Sequence, residues 1–130
     1  MRPLILVVDD NTQLLEALVD RLEAQGWRVS SCADARQAVL QAEALRPALI
    51  VTDIMMPGYG TGLDAYRALR GSAELPKDLP VIFLTGLRAE EIRAAVPLED
   101  PRVRLLHKPA AFSALLAAVR ELIGDPPKTP

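Results

Sequence analysis

Pro47-Ala48-Leu49-Ile50-Val51-Thr52-Asp53 is an apolar run of strand length that stops on an acid. Earlier in the chain Leu4-Ile5-Leu6-Val7-Val8 stops the same way, on Asp9 and Asp10. Continuous apolar stretches of this length, with no polar alternation, read as strands buried on both faces, the pattern of a parallel sheet covered by helices. Acids at the carboxyl ends of two such strands meet on one rim, where doubly wound sheets bind their ligands. Three like charges gathered there call for a cation, so the residues themselves imply a divalent metal.

Outward from these runs the chain alternates strand and helix. After Asp10, the residues Leu14, Leu15, Leu18, Val19 and Leu22 recur at helical spacing, and Gly26 supplies the stop. Arg28 to Ser31 reads as a short second strand. Asp34 with Gln37 makes a capping box for a helix carrying Ala38, Val39, Ala42 and Leu45, which Pro47 closes. Met56 to Gly62 is a loop holding three glycines and a proline. Leu63, Tyr66 and Leu69 mark the next helix, ended by Gly71, and Val81-Ile82-Phe83-Leu84 is a fourth buried strand ending on Thr85. A helix around Ala89 to Val96 has only a weak apolar stripe, so it should be loosely held. Arg102 to Leu106 makes a fifth strand, followed by Lys108-Pro109 and a last helix through Phe112, Leu115, Leu116, Val119 and Leu122. The fold class is therefore α/β, a doubly wound five-stranded parallel sheet with helices on both faces. With strand order 2-1-3-4-5, Asp10 and Asp53 become neighbours at the switch point.

Composition narrows the function. The 130 residues, half of them hydrophobic, are enough for one domain with a full core and no disulfide staples. A net charge of -2 offers no field that draws in nucleic acid or an anionic membrane. Cys32, the single cysteine, reads as a small buried apolar residue and fits a reducing cytoplasm, and no stretch is long enough to insert in a membrane. Residues 1–124 read as the domain, and the Pro-rich segment 125–130 as a tail or linker.

The polar groups at the strand ends are Asp9 and Asp10, Asp53, Thr85 and Lys108. Carboxylates with Mg2+ or Mn2+ make an oxygen-ligand site, while Lys and Thr donate to an anion, and that combination suits phosphoryl transfer to a carboxylate nucleophile. Taken singly, each has a plainer explanation: Asp9 or Asp10 as a helix cap, Thr85 as a turn residue, Lys108 as a solvated charge. Asp53 ends a strand that has no other reason to stop on an acid. His107 is turned by strand alternation away from the side Lys108 faces and reads as structural.

Val7-Val8-Asp9-Asp10, Asp53-Ile54-Met55-Met56-Pro57, Thr85-Gly86 and His107-Lys108-Pro109, in that order and spacing, closely resemble the receiver domain of two-component response regulators, a flavodoxin-like (βα)5 fold. The resemblance runs from Leu4 to about Ile123. It implies that Asp53 is the phosphoacceptor, taking a phosphoryl group from a phosphohistidine on a sensor histidine kinase or a histidine phosphotransfer protein. It also implies that Asp10, Asp53 and the backbone carbonyl of Met55 bind Mg2+, with Asp9 acting through water. Lys108 would pair with the phosphoryl oxygens, Thr85 would move toward them, and the Lys108–Pro109 bond would be cis. Such a protein is a signalling phosphoacceptor in the cytoplasm rather than a turnover enzyme. It passes its state to a downstream effector or output domain, or to a second copy through the face built on the last two helices. The alternatives are a phosphorylation-independent adapter, which replacement of Asp53 or Lys108 would favour, and an aspartyl-nucleophile phosphohydrolase, for which the chain has no cap.

Three departures concern output rather than chemistry. Leu105 stands where receivers commonly carry an aromatic ring, and either alters the response of the output face or packs as an ordinary strand residue. Gly58-Tyr59-Gly60-Thr61-Gly62 is one residue longer than the usual loop, and Ala110-Ala111 displace the aromatic to Phe112. Met55, two residues past Asp53, cannot orient a water by strong hydrogen bonds, which predicts slow self-dephosphorylation.

Overall fold

The structure is a computed structural model that describes residues 3–54, 62–86 and 99–126. Five strands, β1 (Leu4–Val8), β2 (Arg28–Cys32), β3 (Leu49–Asp53), β4 (Val81–Thr85) and β5 (Val103–His107), form one parallel sheet in the order β2-β1-β3-β4-β5. Among the described residues four helices accompany it: α1 (Thr12–Ala24), α2 (Ala35–Leu45), α3 (Gly62–Gly71) and α4 (Phe112–Ile123). The fold class and strand order are those expected. Of the loop expected at Met56–Gly62, residues 56–61 lie outside the described residues and Gly62 already begins α3, while the helix expected around Ala89–Val96 lies outside them altogether.

Strand alternation divides the core. Ile5 and Val7, Leu49 and Val51, and Ile82 and Leu84 point to one face, where Leu15, Leu18 and Leu22 of α1 and Leu115, Val119 and Leu122 of α4 cover them. Leu6, Val8 and Ile50 point to the other, against α2 and α3. All residues of β1, β3 and β4 are buried, which is why their sequences show no polar alternation. Each fully buried Leu or Ile contributes about 1.5–3 kcal/mol, so truncating Leu22 or Ile82 to Ala should cost about 2–5 kcal/mol.

The helix ends follow from their side chains. Asp34 accepts from Gln37 N–H at 2.8 Å and so caps α2, as its spacing with Gln37 predicts. The buried stripe of α2 is Ala35, Ala38 and Ala42, and Leu45, expected on it, is 44% exposed. Leu45 is the last residue of the helix, next to the point where the chain reverses. Arg46 makes that reversal in the left-handed region (φ 50°) and is held there by bonds to the Glu74 carbonyl and carboxylate. β2 extends one residue further than read, to Cys32, and β5 is shifted by one, to Val103–His107. Beyond α4, Asp125 pairs with Arg120 at 2.9 Å, and Pro126 lies against Gly26.

Candidate functional site

Parallel strands bring the residues just past β1 and β5 and the last residues of β3 and β4 to a single rim. Asp9 and Asp10 follow β1, Asp53 ends β3, Thr85 ends β4 and Lys108 follows β5. One carboxylate oxygen each from Asp9, Asp10 and Asp53 lies within 4.8 Å of the others. The structure thus gathers all five of the strand-end residues singled out in the sequence, while Met55 falls outside the described residues.

Lys108 is the keystone of the arrangement. Its ammonium donates to Asp9 Oδ2 and to Asp53 Oδ2, each at 2.9 Å. Its own backbone N–H donates to the Thr85 carbonyl at 2.7 Å, which fixes the level at which the side chain leaves β5. The Lys108–Pro109 bond is cis, as expected. Burial alone would lower the ammonium's pKa, but the hydrogen bonds and charges of Asp9 and Asp53 outweigh it, and the pKa is raised above the usual lysine value. Lys108 therefore stays charged through the physiological range.

The three acids are not equivalent. Asp9 is buried with both oxygens engaged, Oδ2 by Lys108 and Oδ1 by the Asn11 backbone N–H at 2.9 Å. Asp53 is buried, though less completely than Asp9, and Asp10 is exposed. Neither Asp9 nor Asp10 caps α1: that role belongs to Asn11, whose side chain accepts from Leu14 N–H at 3.1 Å. Asn11 thus caps the helix with its side chain and secures Asp9 with its backbone. The reading of the sequence passed over it, although an Asn directly before a helical pattern is a capping signal. Thr85 is fully buried, His107 is exposed, and burial pushes the Cys32 thiol up to about 11, so it is inert at neutral pH.

The donor set suits a hard divalent cation, because all three candidate ligands are carboxylates that contribute oxygen donors. A shared Lys, a buried Thr and a buried carboxylate beside such a cation are the parts that phosphoryl transfer to a carboxylate requires.

The comparisons with known proteins agree with this geometry. The family profile described as "Response regulator receiver domain" matches residues 5–120. Among curated proteins, the DNA-binding response regulator MtrA of Mycolicibacterium paratuberculosis is 33% identical over 120 residues, covering 92% of this chain and 51% of that protein. Response regulator MprA of Mycolicibacterium vanbaalenii is 36% identical over 119 residues, covering 92% and 49%. A response regulator receiver protein from Pseudomonas putida superimposes with a TM-score of 0.82 at 33% identity, over 93% of this chain and 98% of that one. The chemotaxis response regulator CheY4 of Vibrio cholerae gives 0.82 at 25% identity, over 95% and 100%. Fold and rim define a doubly wound parallel α/β domain with an acidic site at the carboxyl ends of its strands. The chain belongs to the response regulator receiver domain family of two-component systems, and it spans about half the length of the curated relatives it matches.

Proposed function

We propose that this receiver accepts a phosphoryl group onto Asp53 from a phosphohistidine, in a Mg2+-dependent reaction, and changes conformation as a result. The observation that carries the reading is the Lys108 ammonium, 2.9 Å from both Asp9 and Asp53, with Asp10 beside them at the open side of the rim. An Asp53 oxygen forms the bond to phosphorus as the phosphorus–nitrogen bond breaks, and the imidazole leaves with the bonding pair. Lys108 holds the nucleophile in place and neutralises charge on the equatorial oxygens, and the Thr85 hydroxyl supplies a further donor. Asp10, Asp53 and the Met55 carbonyl would hold Mg2+ or Mn2+, with Asp9 acting through water. The bound cation supplies charge neutralisation between nucleophile and phosphoryl group.

The donor in this reading is a sensor histidine kinase or a histidine phosphotransfer protein. A groove of about 610 Å³ beside Lys108, lined by Leu14, Leu18, Arg21, Pro109 and Phe112 among others, is the surface on which such a donor would approach in this reading. MtrA is named as DNA-binding, and by analogy this receiver, residues 1–124, would report to an output domain, an effector or a second copy, in the cytoplasm. Among the described residues no helix is long and apolar enough to cross a membrane.

Incubation with Mg2+ and a small acyl phosphate, followed by intact mass measurement, tests the proposal. A single phosphoryl adduct is expected, dependent on Mg2+ and missing from Asp53→Asn. No adduct on the wild type overturns the reading in favour of a phosphorylation-independent adapter.

A further inference from the structure

Tyr66 and Arg70 lie one turn apart on α3, and both reach Asp100, three residues before β5. The Tyr66 hydroxyl donates to Asp100 Oδ2 at 2.6 Å. Arg70 Nε and Nη2 donate to the same oxygen at 3.1 and 3.0 Å, and the guanidinium lies 4.9 Å from the centre of the Tyr66 ring. Asp100 Oδ1 accepts from Arg102 N–H at 2.9 Å, and the Asp100 carbonyl accepts from Val103 N–H at 3.1 Å. The carboxylate therefore ties the position of α3 to the way the chain enters β5.

This network is unevenly filled. One oxygen takes three donors, while Arg70 Nη1 is buried and has no hydrogen-bond partner among the described residues. Buried donors left unpaired are costly, so the network as it stands is incompletely satisfied. Withdrawal of the Tyr66 hydroxyl would leave its ring on Phe83 and Asp100 Oδ2 to the Arg70 guanidinium.

The apolar contacts of that ring lead back to the rim. The Tyr66 ring packs on Phe83 with centroids 6.0 Å apart, and both belong to a small cluster with Ile54, Val81, Val103 and Leu105. Ile54 directly follows Asp53. Phe83 points to the same face of β4 as Thr85, two residues on, and is paired across the sheet with Thr52 and Leu105. Leu105 has neither a ring to swing nor a hydroxyl to release, and Tyr66, on the same cluster, has both.

We propose that Tyr66, Arg70 and Asp100 form a latch between α3 and the entry to β5, which opens by withdrawal of the Tyr66 hydroxyl from Asp100 when Asp53 carries a phosphoryl group. The latch rests on the phosphoacceptor reading above. It is a two-state element that a displacement of Ile54 or Thr85 biases through the Phe83–Tyr66 contact.

The experiment uses the full chain with ring-carbon-labelled tyrosine, Mg2+ and a small acyl phosphate. Intact mass records the adduct, while nuclear magnetic resonance follows the two tyrosines, assigned with Tyr66→Phe, and the exchange of the Arg102 amide. On phosphorylation the Tyr66 resonance should move, and the Arg102 amide should exchange about tenfold faster, the change expected for loss of one hydrogen-bonded anchor. In Tyr66→Phe, which keeps the ring in place, adduct formation should equal that of the wild type while the phosphorylation-dependent change at Arg102 disappears. An adduct with an unmoved Tyr66 resonance, or a Tyr66→Phe variant that keeps the change at Arg102, overturns the latch alone. Absence of any adduct overturns the phosphoacceptor reading and the latch with it.

Discussion

Replacing Lys108 with Met isolates the group on which the rim depends. The ammonium makes two charge-assisted bonds of 2.9 Å, to carboxylates whose side chains are only 2% and 10% exposed. Breaking a buried ion pair by removing one partner costs about 3–5 kcal/mol, because the remaining charge stays buried. Lys108 itself is 26% exposed, so water screens part of the interaction and the lower end applies, about 3 kcal/mol. With a urea slope of about 1.5 kcal/mol per molar, the unfolding midpoint measured in chelator should fall by about 2 M. The pH dependence has a definite sign. The folded pKa of Lys108 is raised, so its stabilisation is fully present below the unfolded lysine value of about 10.4 and is lost as pH rises through the folded value. The gap between wild type and Lys108→Met should be flat from neutrality to about pH 10 and narrow above it. Mg2+ should narrow it at any pH by neutralising the same acids. A gap below about 0.5 kcal/mol in chelator, or one that closes well below pH 9, would refute the claim that this ammonium holds Asp9 and Asp53 together.

Asn11→Ala removes the side-chain cap of α1 but keeps the backbone N–H on Asp9, so calorimetry should show a loss of about 1 kcal/mol, while adduct formation at Asp53 is unchanged. Burial alone would raise the pKa of Asp100, but the Tyr66 hydroxyl, the Arg102 N–H and Arg70 outweigh it and hold the carboxyl low. Its stabilisation is therefore present above the unfolded value of about 3.9 and lost as pH falls through the folded one. Asp100→Asn should accordingly be less stable than wild type at neutral pH by urea unfolding, with the difference shrinking below about pH 4. Met55→Asn should shorten the lifetime of the phosphoryl adduct by about tenfold, measured as decay of the adduct mass after the donor is removed, because an amide can orient the attacking water and a thioether cannot.

The sheet was legible because β1, β3 and β4 are buried on both faces, and the uninterrupted runs Leu4–Val8, Leu49–Thr52 and Val81–Leu84 admit few other readings. Asp9, Asp10, Asp53 and Thr85 were legible for a related reason: a polar residue at the end of such a run has its place set by the strand, and Lys108 was placed with them by following the last strand of the same parallel sheet. Ala38 and Ala42 were read correctly on the apolar face of α2, but Leu45, which continues their helical spacing, is the last residue of the helix and is exposed. Tyr66, Arg70 and Asp100 could not be joined from the sequence. Tyr66 and Arg70 look like an ordinary i,i+4 pair on a helix surface, and Asp100 is 30 or more residues away. Asn11 was visible as a cap, but its hold on Asp9 is a backbone bond that no residue type announces.

The division among the three acids follows from counting charge at the rim. Among the described residues three carboxylates gather around the Lys108 ammonium, an acidic excess of the kind a divalent cation offsets. On the proposed reading, transfer removes the negative charge of Asp53 as a carboxylate and puts a phosphoryl dianion in its place, so one further negative charge arrives. Lys108, shared between Asp9 and Asp53, is the cation that can turn toward it, and in turning it releases Asp9 Oδ2. Asp9 then keeps its place through the Asn11 N–H on Oδ1 alone. The backbone anchor at the start of α1 is thus what allows the ammonium to change partners without loss of the buried acid. A side-chain anchor would have to compete with water for the same oxygen, whereas a helix that has already begun fixes its N–H at no further entropic cost.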